Sequence, residues 1–196
     1  MTAFQDPLAA LPAPTYGACD FSANITVNGG DTRRLTPGTY CGKIKVSANG
    51  TLEFDPGLYV LDGAGLDVSG QGTVTGTDVS FYLTQNSGVP DAITISGGAT
   101  VTLSADDGGP LPGILFYHDR NSAGNVTHRF TGGANMELSG VLYFPSQTLS
   151  FSGGSNLNDS QVMIIADTVE FTGSTVVDLN NVTTTNPLLA QATLLE

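Results

Sequence analysis

The sequence has no tryptophan, only two cysteines and two histidines, and six lysines plus arginines against eighteen aspartates plus glutamates. Each shortage excludes something. The formal charge of −12 repels phosphate backbones and anionic lipid surfaces, so nucleic-acid binding is not expected. Two thiols alone cannot build a four-ligand structural zinc site, and neither a metal nor a cofactor is expected. If the chain is exported, Cys19 and Cys41 read as a disulfide, with two buried free thiols as the alternative. No stretch reaches the roughly 18 to 20 apolar residues of a membrane-spanning helix. Residues 1–6 carry neither a basic region nor an apolar core of the kind a signal peptide needs. The low-charge, Thr/Gly-rich composition nevertheless reads as extracytoplasmic, so any export segment or membrane anchor is expected to lie outside these residues.

What is abundant points to β structure. Glycine numbers 25 and charged residues make up only 12%. Thr, Ser, Asn and Val fill much of the rest, the composition of short strands joined by left-handed turns. The strands then repeat. "TLSFSGGS" from Thr148 returns as "TVEFTGST" from Thr168, and "PGTY" from Pro37 returns as "PGLY" from Pro56. Apolar–polar–apolar triplets recur at Ile44-Lys-Val46, Leu66-Asp-Val68, Ile93-Thr-Ile95, Met136-Glu-Leu138, Leu149-Ser-Phe151 and Val169-Glu-Phe171, the period-2 signature of a half-buried strand. One further run precedes each triplet and another follows it.

Three strands of about four residues with tight corners need about 20 residues per turn, and parallel stacking at about 4.8 Å sets each copy of a phrase above the last. The expected fold is therefore all-β, a right-handed parallel β-helix of about six coils with three short strands per coil. An antiparallel sandwich would not hold one residue type at one position across coils. The expected organisation is a Pro-rich lead-in at 1–38 that packs on or caps the solenoid, the solenoid at 39–180 and a tail at 181–196. Outward bulges are expected at residues 105–112 and 118–135.

The phrases "DPLAALPAP" from Asp6, "LTPGTYCG" from Leu35, "FDPGLYVLDG" from Phe54, "VSFYLT" from Val79, "GILFYHDRN" from Gly113 and "GVLYFPSQTLSFSGGS" from Gly140 occur in one order over nearly the whole chain. In that order they resemble the C-terminal extracytoplasmic region of TadG-like proteins, encoded in bacterial tight-adherence (Flp) pilus loci. The resemblance implies a non-enzymatic structural or adhesion module, tethered by a hydrophobic segment outside these residues. Its implied partners are pilus or pilus-assembly proteins.

Chemistry has few places to reside. Polysaccharide lyases and hydrolases with this fold need clustered carboxylates and a base on one outer face. The outward positions of the triplets, Lys45, Asp67, Thr94, Glu137, Ser150 and Glu170, give no adjacent carboxylate pair. The densest polar group is His118, Asp119, Arg120 and Asn121 with His128 and Arg129. It is the candidate glycan or anion site, against the alternative that it packs a loop. Carbohydrate binding or cleavage is thus the second functional reading. A third, a flat threonine face of the ice-binding kind, has only Thr73-Val-Thr75 and Thr100-Val-Thr102 as ranks.

The runs before the triplets, at residues 114–117, 141–144 and 162–165, are apolar throughout, as in a strand covered on both faces. One face is the interior, so something must cover the other. Phe4, Leu8, Leu11 and Tyr16 of the lead-in, with Leu188, Leu189, Leu194 and Leu195 of the tail, are the expected cover. The residues expected on that outer face, and hence at a partner or self-association contact, are Leu115, Tyr117, Leu142, Phe144, Met163 and Ile165.

Overall fold

The computed structural model describes residues 6–85, 91–122, 125–157 and 161–177. They form seventeen strands and no helix. The path begins with β1 (Ile25–Val27) and β2 (Thr32–Leu35). It continues with β3 (Gly38–Tyr40), β4 (Ile44–Val46) and β5 (Thr51–Phe54), then β6 (Gly57–Asp62), β7 (Leu66–Val68) and β8 (Thr73–Gly76). Then come β9 (Val79–Thr84), β10 (Ile93–Ile95), β11 (Thr100–Ser104), β12 (Ile114–His118) and β13 (Thr127–Phe130). The long β14 (Asn135–Phe151), β15 (Asn156–Leu157), β16 (Gln161–Phe171) and β17 (Val176–Val177) complete it.

Every strand pairing is parallel and joins one coil to the next, which makes the chain a parallel β-helix. Three sheets result. The first stacks β3, β6, β9, β12, the middle of β14 and the start of β16. The second stacks β1, β4, β7, β10, β13, the end of β14 and the end of β16, seven rungs in all. The third stacks β2, β5, β8, β11, the start of β14, β15 and β17. Because β14 and β16 each pass from one sheet into the next, they are the longest strands.

The repeated phrase is a corner. After the last inward residue of each second-sheet rung comes Asn, Ser or Thr and then, in all but the last rung, two residues at positive φ, as in Gly97 and Gly98 (63° and 73°) and Gly132 and Gly133 (69° and 73°). A Cβ on Gly97 would stand 3.0 Å from the Gly70 nitrogen, so glycine is needed there for conformation and for space. The aromatic of the phrase points inward and stacks on its copies, Phe130 on Phe151 at 4.8 Å and Phe151 on Phe171 at 5.2 Å. A second ladder climbs the inner face of the first sheet through Tyr40, Tyr59, Phe81 and Phe116.

Three expectations need correction. The second-sheet rung above Ile93-Thr-Ile95 is His128-Arg-Phe130, with Thr94 beside Arg129. Met136-Glu-Leu138 lies instead on the third sheet, beside Val101-Thr-Leu103. The expected bulge at 118–135 therefore contains a strand of the second sheet, β13, whereas 105–113 do form a loop between β11 and β12. Secondly, β1 and β2 already stack on β4 and β5, so the solenoid begins well before residue 39. Thirdly, Leu115, Leu142 and Phe144 face the interior cluster, while Tyr117, Met163 and Ile165 belong to the outer one. A bulge between Ile114 and Phe116 turns Leu115 inward together with Phe116, and alternation is invisible in a run that is apolar throughout.

The lead-in lies over the outer face of the first sheet. Leu8 is 5% exposed and packs with Val60, Tyr82, Tyr117, Val141 and Tyr143, and Leu11 and Tyr16 join the same cluster. Tyr16, Tyr82, Tyr117 and Tyr143 form a ring ladder at 5.8, 5.7 and 4.8 Å. Phe4 and the tail leucines fall outside the described residues. Cys19 and Cys41 are joined in a disulfide, with Cα atoms 5.8 Å apart, and so fasten the lead-in to the second coil.

Candidate functional site: the polar insertion of the fifth coil

The six polar residues of the insertion divide into three unrelated environments. His118 continues β12 at an inward position beside Leu83, and His128 is inward in β13 beside Leu149. They are 1% and 0% exposed. Their rings meet edge to face at 5.4 Å, and the His128 ring lies 4.5 Å from that of Phe144. The His128 Nδ1 accepts the Ile93 N–H at 3.1 Å, which puts the ring proton on Nε2, a buried atom with no hydrogen-bond partner among the described residues. His118 Nδ1 lies 3.2 Å from the Asp119 carbonyl, and a carbonyl can only accept, so Nδ1 carries the proton. Burial pushes the His118 pKa down, and burial with the neighbouring His118 pushes that of His128 down to about 3. Both rings are neutral interior residues.

Asp119 and Arg120 work on the outer face. The Asp119 carboxylate accepts the Tyr82 hydroxyl at 2.9 Å and the Thr84 hydroxyl at 3.3 Å, and its other oxygen accepts the Asn121 N–H at 2.9 Å. Burial is the first cause that raises the Tyr82 pKa. Arg120 reaches across to the lead-in. Its Nη1 donates to the Ala9 carbonyl and its Nη2 to the Leu8 carbonyl, both at 2.8 Å. Nη2 also donates to the Tyr143 hydroxyl at 2.8 Å, and that hydroxyl donates to Asp6 Oδ2 at 2.6 Å. The guanidinium carbon sits 5.5 Å from the centre of the Tyr143 ring. Asp6 in turn accepts the Leu8 N–H at 2.9 Å, so the far end of the pin is a local turn.

Asn121 and Arg129 are exposed, and Arg129 stands in the outward row Thr26, Lys45, Asp67, Thr94, Arg129, Ser150, Glu170. That row also corrects Glu137, which lies on the third sheet beside Thr102. There it lines a shallow dent of about 200 Å³ with Thr77, Thr102, Ser104 and Ser139. One carboxylate among hydroxyls lacks the second acid or the base that glycosidic cleavage requires. The threonine row is longer than the sequence suggested, Thr32, Thr51, Thr73 and Thr100, but its companion row runs Arg34, Glu53, Thr75, Thr102, Glu137 and is interrupted by charge. Among the described residues no three His, Cys, Asp or Glu side chains gather to hold a metal ion.

Sequence reasoning found the insertion but missed Asp6, Tyr82 and Tyr143, which complete its hydrogen bonds. Two of these sit in apolar runs, and the third is more than a hundred residues away in sequence. The geometry defines a class, a parallel β-helix with a strap pinned across one sheet. No protein-family model, no curated protein and no solved structure matches this chain.

Proposed function

We propose that this chain is a non-enzymatic, extracytoplasmic structural or adhesion module of tight-adherence (Flp) pilus assembly, in the manner of the TadG-like proteins it resembles. The observation that carries the non-enzymatic part is the use of Arg120. Its guanidinium is committed to two carbonyls of the lead-in and to Tyr143, while both histidines are interior. Within the densest polar group of the chain, His118, Asp119, Arg120 and His128 hold the fold together. The Cys19–Cys41 disulfide supports an oxidising compartment. The net charge of −12 favours protein partners over nucleic acid or anionic lipid. Partners in this reading are pilus or pilus-assembly proteins or a second copy, and any membrane attachment runs through a segment outside these residues.

The test is genetic and biochemical together. Deleting the gene should lower piliation and surface adherence, and the wild-type chain should leave uronate-containing polysaccharides uncleaved and a glycan array unlabelled. Normal pili and adherence in the deletion strain would refute the pilus reading. Unsaturated sugar products released by the purified chain would establish the carbohydrate reading in its place.

A further inference from the structure

The two ends of the solenoid differ. At the N-terminal end the inward side chains of the first coil are covered, Ile25, Val27 and Leu35 being 4%, 2% and 4% exposed. Arg33 occupies the interior position beside Leu52 in the register and yet is exposed, so a charge stands at the mouth of that end. An inward-pointing charge on an edge strand is a device against further strand pairing. Among the described residues the C-terminal end has no such guard. In β16 the inward positions are Val169, 38% exposed, and Phe171, 52% exposed, the latter stacked on Phe151 by one face only. Among the described residues β16 pairs only with β14, and an edge strand presents unpaired N–H and C=O groups along its open side.

Charge is distributed with the same polarity. Four of the six basic residues, Arg33, Arg34, Lys43 and Lys45, lie in the first two coils. After Arg129 the chain has no lysine or arginine and has six acidic residues, of which Asp167 and Glu170 are exposed on β16 itself. A second copy does not suit this edge. Its N-terminal end would bring Thr26 rather than a base over Glu170 and would set the Arg33 charge over Val177 of the third sheet, and its C-terminal end would set Asp167 and Glu170 against their own counterparts.

We propose that the β16 edge is a docking site for an extended segment of a partner protein. The segment adds as a further parallel rung, with apolar side chains over Val169 and Phe171 and a lysine or arginine opposite Glu170. The chain itself contains such a rung, since Ile44-Lys45-Val46 pairs with Leu66-Asp67-Val68 and places the lysine beside the aspartate. Main-chain bonds would give the affinity and the apolar–basic–apolar pattern the selectivity. The inference does not depend on the pilus reading.

The probe is a fluorescent synthetic peptide copying residues 42–48, titrated with the full chain and read by anisotropy. Saturable binding is expected, weakened by salt. Binding should fall roughly tenfold or more with Phe171→Asp, whose thermal unfolding is checked alongside, because an apolar contact of aromatic size is lost. A Glu170→Lys chain should reverse the preference, favouring the peptide that carries Lys45→Glu, and this arm remains informative if Phe171→Asp does not fold. Absence of saturable binding, indifference to the charge swap, or concentration-dependent self-association abolished by Glu170→Lys would each overturn the proposal.

Discussion

Arg120→Ala removes the pin between the solenoid and its strap. The wild-type guanidinium, in a side chain 28% exposed, makes bonds of 2.8 Å to the Leu8 carbonyl, the Ala9 carbonyl and the Tyr143 hydroxyl. A hydrogen bond to a charged group contributes roughly 1.5 to 3 kcal/mol. The full sum does not apply here. Tyr143 keeps its bond to Asp6, and water can reach two carbonyls near the surface, so a loss of about 2 kcal/mol in strap docking is expected. That free energy corresponds to about a thirtyfold rise in the open population. The turn Asp6–Leu11 supplies its own reporters, the Leu8, Ala9 and Leu11 N–H groups, each hydrogen-bonded within the strap. Amide hydrogen exchange at these three should accelerate about thirtyfold while the amides of β7 and β10 keep their protection. A dye sensitive to apolar surface should report the uncovered Tyr82, Tyr117 and Tyr143. Arg120→Lys should rescue little, because one ammonium cannot span both carbonyls and the ring. Unchanged exchange at Leu8 and Ala9 would refute the pin, and equal acceleration throughout the solenoid would make Arg120 a residue of global stability.

Three further outcomes follow from other parts of the fold. Replacing Cys19 and Cys41 by serine opens a loop of sequence separation 22 and should cost on the order of 3 kcal/mol, read as a lower denaturation midpoint; an unchanged midpoint would contradict the clamp. Ala48 stands at φ 49° in a corner where other coils place glycine, so Ala48→Gly should raise stability by about 1 kcal/mol, whereas Gly97→Ala should lower it, both measured by chemical unfolding. Acid should destabilise the chain through its buried histidines. The folded His128 has a pKa of about 3 against 6.5 when unfolded, so below pH 6.5 the unfolded state takes up a proton that the fold refuses. Stability should fall by about 1.4 kcal/mol per pH unit from this residue, about 2 kcal/mol by pH 5, with His118 adding in the same direction. His128→Phe should flatten that slope, and a wild-type stability equal at pH 7 and pH 5 would contradict the burial.

The coil was legible because its corner leaves a strong mark. An inward apolar residue, a short polar one and a left-handed turn restrict composition at one place per turn, and stacking forces the restriction to recur. The rung His128-Arg-Phe130 escaped because histidine at an inward position does not read as apolar, and the period then slid to Met136-Glu-Leu138, which alternates equally well. The faces of the first sheet escaped for the opposite reason: with apolar residues at every position of 114–117, parity carries no signal, and the bulge at Leu115 reverses it. The insertion at 118–129 was visible as a density of polar residues, but its division was not. Nothing near Arg120 marks its partners Leu8 and Ala9, which are more than a hundred residues earlier, and inward or outward direction was what separated a pin from a binding site.

The chain has only two histidines, so the fate of its polar insertion is open to one direct measurement. Imidazole resonances of the folded protein, followed by NMR from pH 8 to the onset of acid unfolding and repeated with a panel of neutral and acidic oligosaccharides, report on both rings at once. If the insertion is part of the interior, neither ring titrates near 6.5 while the fold persists, and neither moves when sugar is added. A histidine that titrates near 6.5 in the folded state and shifts with an oligosaccharide would contradict the account and return the insertion to the surface as a binding site.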